Sequence, residues 1–198
     1  MNVQAFVMLF GAYLLGAVPF GLIVARVKGV GDIRQQGSGN IGATNVLRVA
    51  GRTAGAIALV LDIGKGALAT AIALFLFGQD SVYTAATVVM VFLGHLYPVY
   101  LGFKGGKGVA VALGAVLVWV PVFGLIMVLI WLATAKWLRI SSLAALLAFG
   151  ITPFFLFWLS APSFASETFG LITLLVFWRH RANIQRLFKG TEPSIGKK

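Results

Sequence analysis

The chain contains no cysteine, which removes disulfides, thiolate metal centres and a cysteine nucleophile from consideration. Acidic residues are almost as scarce: 5 Asp and Glu stand against 16 Lys and Arg, a formal net charge of +11. With only 2 histidines beside those carboxylates, no protein-held metal is expected, and nothing in the residues asks for another cofactor. The first apolar run has neither a basic leading segment nor an A-x-A cleavage site, so it reads as a retained span rather than a signal peptide. No internal repeat is visible. No stretch is polar enough for a separate soluble domain, so residues 1–198 are expected to form one membrane-embedded domain.

What the chain has in abundance is apolar surface: 60% hydrophobic residues and a mean hydropathy of +0.97. A soluble domain of this size could not hide it. Apolar runs cover 2–25, 53–78, 82–103, 109–135, 140–160 and 164–178. Several approach or exceed the ~20 residues that cross a ~30 Å hydrocarbon core. Runs of this length suit helices rather than the short alternating strands of a barrel, so the expected class is an all-α polytopic membrane protein. Fifteen of the 16 cations lie in four polar breaks, 26–52, 104–107, 136–139 and 179–198, and only Lys65 lies elsewhere. In a soluble protein this charge would suggest nucleic acid. Here the cations flank membrane spans, so anionic lipid headgroups are the expected partners and nucleic acid is not.

The charge distribution also decides the topology. If 109–135 crosses once, the cations divide 7 to 8 between the two sides; if it crosses twice, all 15 share one side and face away from Asp80 and Glu167. The second arrangement obeys the positive-inside rule. It predicts seven transmembrane helices, two of them short and joined near Trp119 and Pro121 within 109–135, by two full crossings or a re-entrant fold. The N-terminus would lie outside and the C-terminus in the cytoplasm.

Three of the basic breaks carry more polar detail than membrane flanks need. The first contains Gly37-Ser38-Gly39-Asn40-Ile41-Gly42, a literal GxGxxG, but no strand precedes it, so a dinucleotide site is rejected. What remains is Gly39 and Gly42, the hydroxyls of Ser38 and Thr44, the amides of Asn40 and Asn45, and Arg48. Glycine lets backbone N–H groups approach an oxyanion, and an arginine fork suits phosphate. The second break, Lys104-Gly105-Gly106-Lys107-Gly108, runs into an apolar helix expected to start near Val109. It is not a Walker A loop, but free N–H groups at a helix start, bare glycine backbone and two ammonium groups make a phosphate cradle. In the third, His180, Asn183, Ile184 and Leu187 share one helical face. There His180 could serve as a general base or a phosphate ligand, and Arg186 lies close by. Gly190 reads as the helix stop, and Glu192 as a tie from the tail to a basic residue.

An ordinary membrane-flanking loop would explain any one of these clusters more readily than all three together. Two isolated features remain. Asp62 and Lys65, three apart within the second span, are expected to pair, since an unpaired charge at the bilayer centre costs on the order of 2.5–3.5 kcal/mol. His95, near the cytoplasmic end of the third span, reads equally as a bonded interfacial histidine or a ligand. These three, with Arg186 and Glu192, are expected to support the site from behind.

The segments SGNIGATN at 38–45, GHLYPVYLGFKGGKGVA at 94–110 and HRANIQRLFKGTE at 180–192 together resemble the bacterial acyl-phosphate:glycerol-3-phosphate acyltransferase family. The resemblance spans almost the whole chain. It implies a multi-pass protein of the bacterial inner (plasma) membrane with seven transmembrane helices and a cytoplasm-facing site. It implies acyl transfer from acyl phosphate to the 1-hydroxyl of glycerol 3-phosphate, giving lysophosphatidic acid and phosphate at the start of phospholipid synthesis. The two substrates and membrane lipids are then the partners, and no protein partner is required. The family's glycerol 3-phosphate site corresponds to Lys104–Gly108, its first-motif Ser and Arg to Ser38 and Arg48, and its third-motif His and Asn to His180 and Asn183.

The residues fit that chemistry. Two phosphates must share one pocket, which accounts for the excess of cations and N–H donors. Acyl phosphate is an activated anhydride, so positioning and oxyanion stabilisation can suffice. The reading favoured by the residues is direct attack in a ternary complex, with His180 or a substrate phosphate oxygen receiving the hydroxyl proton. The competing mechanism makes Ser38 an acylated nucleophile. Two further classes stay open at this level: a transporter of a phosphorylated metabolite, against which the one-sided site and missing repeat argue, and a non-catalytic binder of anionic lipid.

Overall fold

The computed structural model describes residues 3–158 and 161–195; Lys197 and Lys198 of the last basic break lie outside the described residues. Every regular element among them is helical: α1 (Val3–Ala17), α2 (Phe20–Val27), α3 (Ala43–Ala50), α4 (Arg52–Phe77), α5 (Val82–Leu96), α6 (Val109–Trp119), α7 (Pro121–Leu138), α8 (Ser141–Gly150), α9 (Thr152–Trp158), α10 (Ala165–Arg179) and α11 (Arg181–Phe188). Among the described residues, five segments are long and apolar enough to cross a membrane: Val3–Val27, Arg52–Phe77, Val82–Leu101, Pro121–Leu138 and Ser141–Trp158. Val109–Trp119 is a shorter apolar helix. Their outward faces carry large exposed hydrophobics such as Phe6, Phe75, Leu129 and Trp137, the surface expected of helices solvated by lipid.

Lipid tails are as apolar as leucine, so helices in a bilayer associate through close packing rather than through the hydrophobic effect. Two glycine pairs do this here. A Cβ on Gly16 would strike the Val91 carbonyl and one on Gly94 the Tyr13 carbonyl, which brings α1 against α5. Gly66 and Gly114 do the same for α4 and α6, against the carbonyls of Val111 and Ile63. A larger core, with Phe92, Phe123, Phe149 and Phe169 fully buried, joins α5 to α6, α7, α8 and α10.

The run 109–135 does turn where Trp119 and Pro121 predicted. The break falls at Val120, Pro121 opens α7, and the Trp119 indole donates to the Gln79 carbonyl at 3.0 Å. The two halves are not equally short. At ~1.5 Å per residue, α6 extends only ~16 Å, whereas α7 reaches ~27 Å. The helix does not end before Lys136 but continues to Leu138, where Arg139 takes φ 54°.

Pro19 interrupts the first span between α1 and α2. The interruption leaves the Val18 carbonyl outside the helical ladder, where it accepts from the Lys65 ammonium at 3.0 Å.

Candidate active site

A cavity of about 540 Å³ opens where the three polar clusters meet, within the range of small-molecule sites. Its polar lining comes from Ser38, Asn40, Gly42, Thr44, Asn45 and Arg48 of the first break, Lys107 and Gly108 of the second, and His180, Asn183, Arg186 and Glu192 of the third. Its apolar lining comes from Leu59 and Ile63 of α4, Leu113 and Leu117 of α6, and Val128 and Trp131 of α7. Such a space suits a molecule with an anionic head and a hydrocarbon tail.

The first break is held in shape by Asn45. This buried amide accepts from the Ser38 N–H at 2.8 Å and donates to the carbonyls of Ile33 at 3.0 Å and Gln36 at 3.1 Å. Asn45 lines the cavity, and its hydrogen bonds are committed to the loop. Gly37, at φ +60°, lies so near that a Cβ would overlap the Asn45 oxygen. Gly39 is exposed and lies off the cavity lining. Thr44 Oγ1 meets Ser141 Oγ at 3.0 Å, tying α3 to the start of α8.

The second break departs most from expectation. Lys104 is exposed and outside the cavity, while Lys107 turns in. Two consecutive left-handed residues, Gly102 (φ 58°) and Phe103 (φ 63°), redirect the chain between them and the preceding turn. Gly105 and Gly106 do not offer free N–H groups: they donate to the carbonyls of Leu96 at 3.1 Å and His95 at 3.0 Å. Their own carbonyls accept from Arg179, Nη2 to Gly105 at 2.7 Å and Nε to Gly106 at 3.1 Å. This segment is a strap fixed on both edges, and a Cβ on Gly106 would strike His95 Nε2. The donors that remain belong to the start of α6, where Gly108 caps without a side chain and Val109 and Ala110 line the cavity.

Lys107 donates to Asn183 Oδ1, and Asn183 Nδ2 donates to Glu192 Oε1 at 2.5 Å. Glu192 also accepts from Ser142 Oγ at 2.7 Å and Arg186 Nε at 2.7 Å. The expected tie from Glu192 to a basic residue is thus present, as part of a larger network. The tail that carries Glu192 is pinned by Ile195, whose N–H donates to the Arg139 carbonyl at 2.6 Å. Burial would raise the Glu192 pKa, but hydrogen bonds from Ser142, Asn183 and Arg186 outweigh it and lower the value. Burial pulls the Lys107 pKa down to about 8; Glu192 opposes this and Arg186 and Arg179 reinforce it.

His180 sits at the junction of α10 and α11, 3% exposed. Its Nδ1 lies 2.8 Å from the Val176 carbonyl, an acceptor, so Nδ1 carries the proton and Nε2 keeps a lone pair. Burial, then the Lys107 charge, lowers its pKa to about 4, so the ring is neutral at pH 7. Among the described residues no hydrogen bond links Ser38 to His180, the contact that a base-activated serine nucleophile would need.

Asp62 and Lys65 pair as the spacing predicted, at 2.8 Å and almost wholly buried. The ammonium also meets His95 Nδ1 at 2.9 Å. Asp62 and His95 line the cavity; Lys65 stands behind them. Sequence reasoning missed Arg179, Ser141 and Ser142. The serine pair opening an apolar helix was a visible signal, whereas Arg179 looks like any other cation at the end of a span.

The family described as glycerol-3-phosphate acyltransferase matches residues 6–190. The chain is 52% identical over 186 residues to the glycerol-3-phosphate acyltransferase of Jannaschia sp. (strain CCS1), covering 94% of this chain and 90% of that one. It is 51% identical to that of Rhodopseudomonas palustris (strain BisB5), covering 94% and 93%. It is also similar to crystal structures of PlsY (YgiH), an integral membrane glycerol 3-phosphate acyltransferase. The glycerol 3-phosphate form has a TM-score of 0.94 at 43% identity, covering 98% of this chain and 96% of that chain. The lysophosphatidic acid form has a TM-score of 0.91 at 42% identity, with the same coverage. With a cavity built to take an anionic head and an apolar tail, and with relatives matched over nearly their full length, this chain belongs to the glycerol-3-phosphate acyltransferase family.

Proposed function

We propose that this chain transfers a fatty acyl group from acyl phosphate directly to the 1-hydroxyl of glycerol 3-phosphate, releasing lysophosphatidic acid and inorganic phosphate. The observation that carries the reading is the meeting of cationic and apolar lining in one cavity. An acyl phosphate would lay its chain between α4, α6 and α7 and leave its phosphate among Arg48, Lys107, Arg186 and the N–H groups opening α6. Glycerol 3-phosphate brings the second phosphate to the same cations.

The 1-hydroxyl oxygen attacks the acyl carbonyl carbon, the bond from that carbon to the phosphate oxygen breaks, and phosphate departs with the electron pair. His180 Nε2 accepts the hydrogen bond of the attacking hydroxyl and fixes its direction. With a pKa of about 4, His180 is a weaker base than a phosphate monoester, whose second pKa is about 6. The proton therefore ends on a substrate phosphate oxygen. No residue needs to form a covalent intermediate.

The proposed setting is one membrane-embedded unit of the bacterial plasma membrane, with seven crossings, the N-terminus outside and the site facing the cytoplasm. The positive-inside distribution and the turn at Val120 support this reading. Turnover of palmitoyl phosphate but not of palmitoyl-CoA by purified protein, with glycerol 3-phosphate as acceptor, is the expected result. Turnover of palmitoyl-CoA alone would overturn the choice of donor.

A further inference from the structure

The proposed reaction gives the attacking hydroxyl an acceptor and the phosphates their cations, but leaves the acyl carbonyl oxygen without a partner. Of the chain's 2 histidines, only His180 has a task. His95 is the other. It is 5% exposed and lines the same cavity as Lys107 and His180. Its Nδ1 lies 2.9 Å from the Lys65 ammonium. An ammonium only donates, so Nδ1 accepts and the proton of the neutral ring sits on Nε2. Asp62 at 2.8 Å and the Val18 carbonyl at 3.0 Å hold the same ammonium. Its three N–H groups are thus matched, and the tautomer of His95 is fixed from behind.

The Nε2 end is free. It has no hydrogen-bond partner among the described residues, and no fully enclosed side-chain nitrogen among them lacks one, so Nε2 keeps accessible surface. The cavity that His95 lines supplies that space. The ring touches the strap at Gly106, next to Lys107, and reaches α4 at Lys65, close to the apolar lining at Ile63. Between a phosphate on Lys107 and a chain on Ile63, an acyl phosphate carries its carbonyl. Charge agrees with this placement. Phosphates are anionic throughout and suit the full charges of Arg48, Lys107 and Arg186. A carbonyl oxygen is neutral before attack, and a fixed neutral N–H favours it most when it gains charge in the transition state.

We propose that His95 Nε2–H donates a hydrogen bond to the acyl carbonyl oxygen and stabilises the negative charge that this oxygen gains as the 1-hydroxyl attacks. The electron pair returns to the carbonyl as the bond to the phosphate oxygen breaks, and the proton stays on Nε2 throughout. His95 is then a catalytic residue, and Lys65 and Asp62 are positioning residues that fix its tautomer. This rests on acyl phosphate being the donor.

The test uses the tag-free full chain, with palmitoyl phosphate for turnover and, for binding, its non-transferable analogue in which a methylene replaces the bridging oxygen. His95→Met removes the donor. Its kcat should fall roughly 100- to 1,000-fold, with KM for either substrate changed by less than about threefold. His95→Gln keeps an acceptor for Lys65 and an N–H for the cavity, and should recover most of the loss. The carbonyl stretch of the bound, isotope-labelled analogue should lie at lower wavenumber in the unaltered protein than in His95→Met. Ring-nitrogen NMR of histidine-labelled unaltered protein should place the proton of His95 on Nε2 and show that signal shifting when the analogue binds.

An unchanged kcat in His95→Met, a loss carried by KM alone, or a carbonyl stretch indifferent to the substitution overturns the assignment. So does His95→Gln performing no better than His95→Met when both are folded, which is the mark of a packing role. A substitution that moves the phosphorus signal of the analogue and leaves its carbonyl stretch in place puts His95 on the phosphate instead, and also overturns it. If neither variant folds, the unaltered protein still decides: a proton on His95 Nδ1, or an Nε2 signal that ignores the analogue, overturns the proposal. No turnover of palmitoyl phosphate by the unaltered enzyme would sink the proposed function and this inference together, whereas turnover that survives loss of the imidazole sinks only the role of His95.

Discussion

The two lysines of the glycine-rich break look interchangeable in sequence, and the fold makes them opposites. Lys107 is half-buried in the cavity with its ammonium on Asn183, and Lys104 is exposed outside it. Replacing Lys107 by Met keeps most of the aliphatic stem and removes the charge. A charge-assisted hydrogen bond in a partly desolvated site contributes about 1.5–3 kcal/mol, which at ~1.4 kcal/mol per decade is a loss of roughly 10- to 150-fold in kcat/KM for glycerol 3-phosphate or the acyl donor. The same change at Lys104 removes a solvated surface charge worth about 0–1 kcal/mol, a loss of at most about fivefold that salt should abolish. The assay is steady-state release of phosphate from palmitoyl phosphate by each variant at two ionic strengths, with unfolding temperatures measured alongside. Equal losses at the two positions, or a larger loss at Lys104, would refute the reasoning.

The alkaline limb of kcat/KM should fall near pH 8, where free enzyme loses the Lys107 proton. A phosphate bound beside the ammonium holds that proton, so the limb of kcat itself should lie higher. The His180 pKa is depressed from 6.5 to about 4, so the unfolded chain binds the extra proton first; stability should fall as pH drops from about 6.5 to about 4, and His180→Gln should remove that part of the pH dependence in thermal unfolding. Arg179→Lys cannot reproduce the fork across the Gly105 and Gly106 carbonyls; amide exchange at residues 104–107 should quicken and kcat/KM drop about tenfold. Asn45→Ala strands one N–H and two carbonyls and should destabilise the protein by about 2–4 kcal/mol, read as a lowered unfolding temperature.

Much of the fold was legible because charge and hydropathy alone constrain a membrane protein. Cation parity favoured a turn within 109–135, and Trp119 with Pro121 marked the one that the chain makes at Val120. The apolar run stops at residue 135 but α7 continues to Leu138, because a lysine in the last helical turn can extend its stem along apolar surface toward water. The three clusters did converge on one cavity. Which members face it was less visible. Asn45 has the chemistry of a ligand but is used up by its own loop. Lys104 and Lys107 are told apart by the Gly105–Gly106 strap between them, which Leu96, His95 and Arg179 fix on both edges and no local pattern announces. Gly105 and Gly106 were read as bare donors, yet their role is close approach to His95 and Arg179. Arg179 and Ser142 act through partners 50 or more residues away, Gly105, Gly106 and Glu192, and that information lies in the packing.

The central claim is direct acyl transfer from acyl phosphate to glycerol 3-phosphate in this cavity. The most direct measurement is a rapid-quench experiment on purified, lipid-reconstituted protein with acyl-labelled palmitoyl phosphate, with and without glycerol 3-phosphate. The account predicts one lysophosphatidic acid per phosphate released when the acceptor is present, and no labelled protein when it is absent. Label retained on the protein at Ser38, or phosphate released without lysophosphatidic acid, would contradict it.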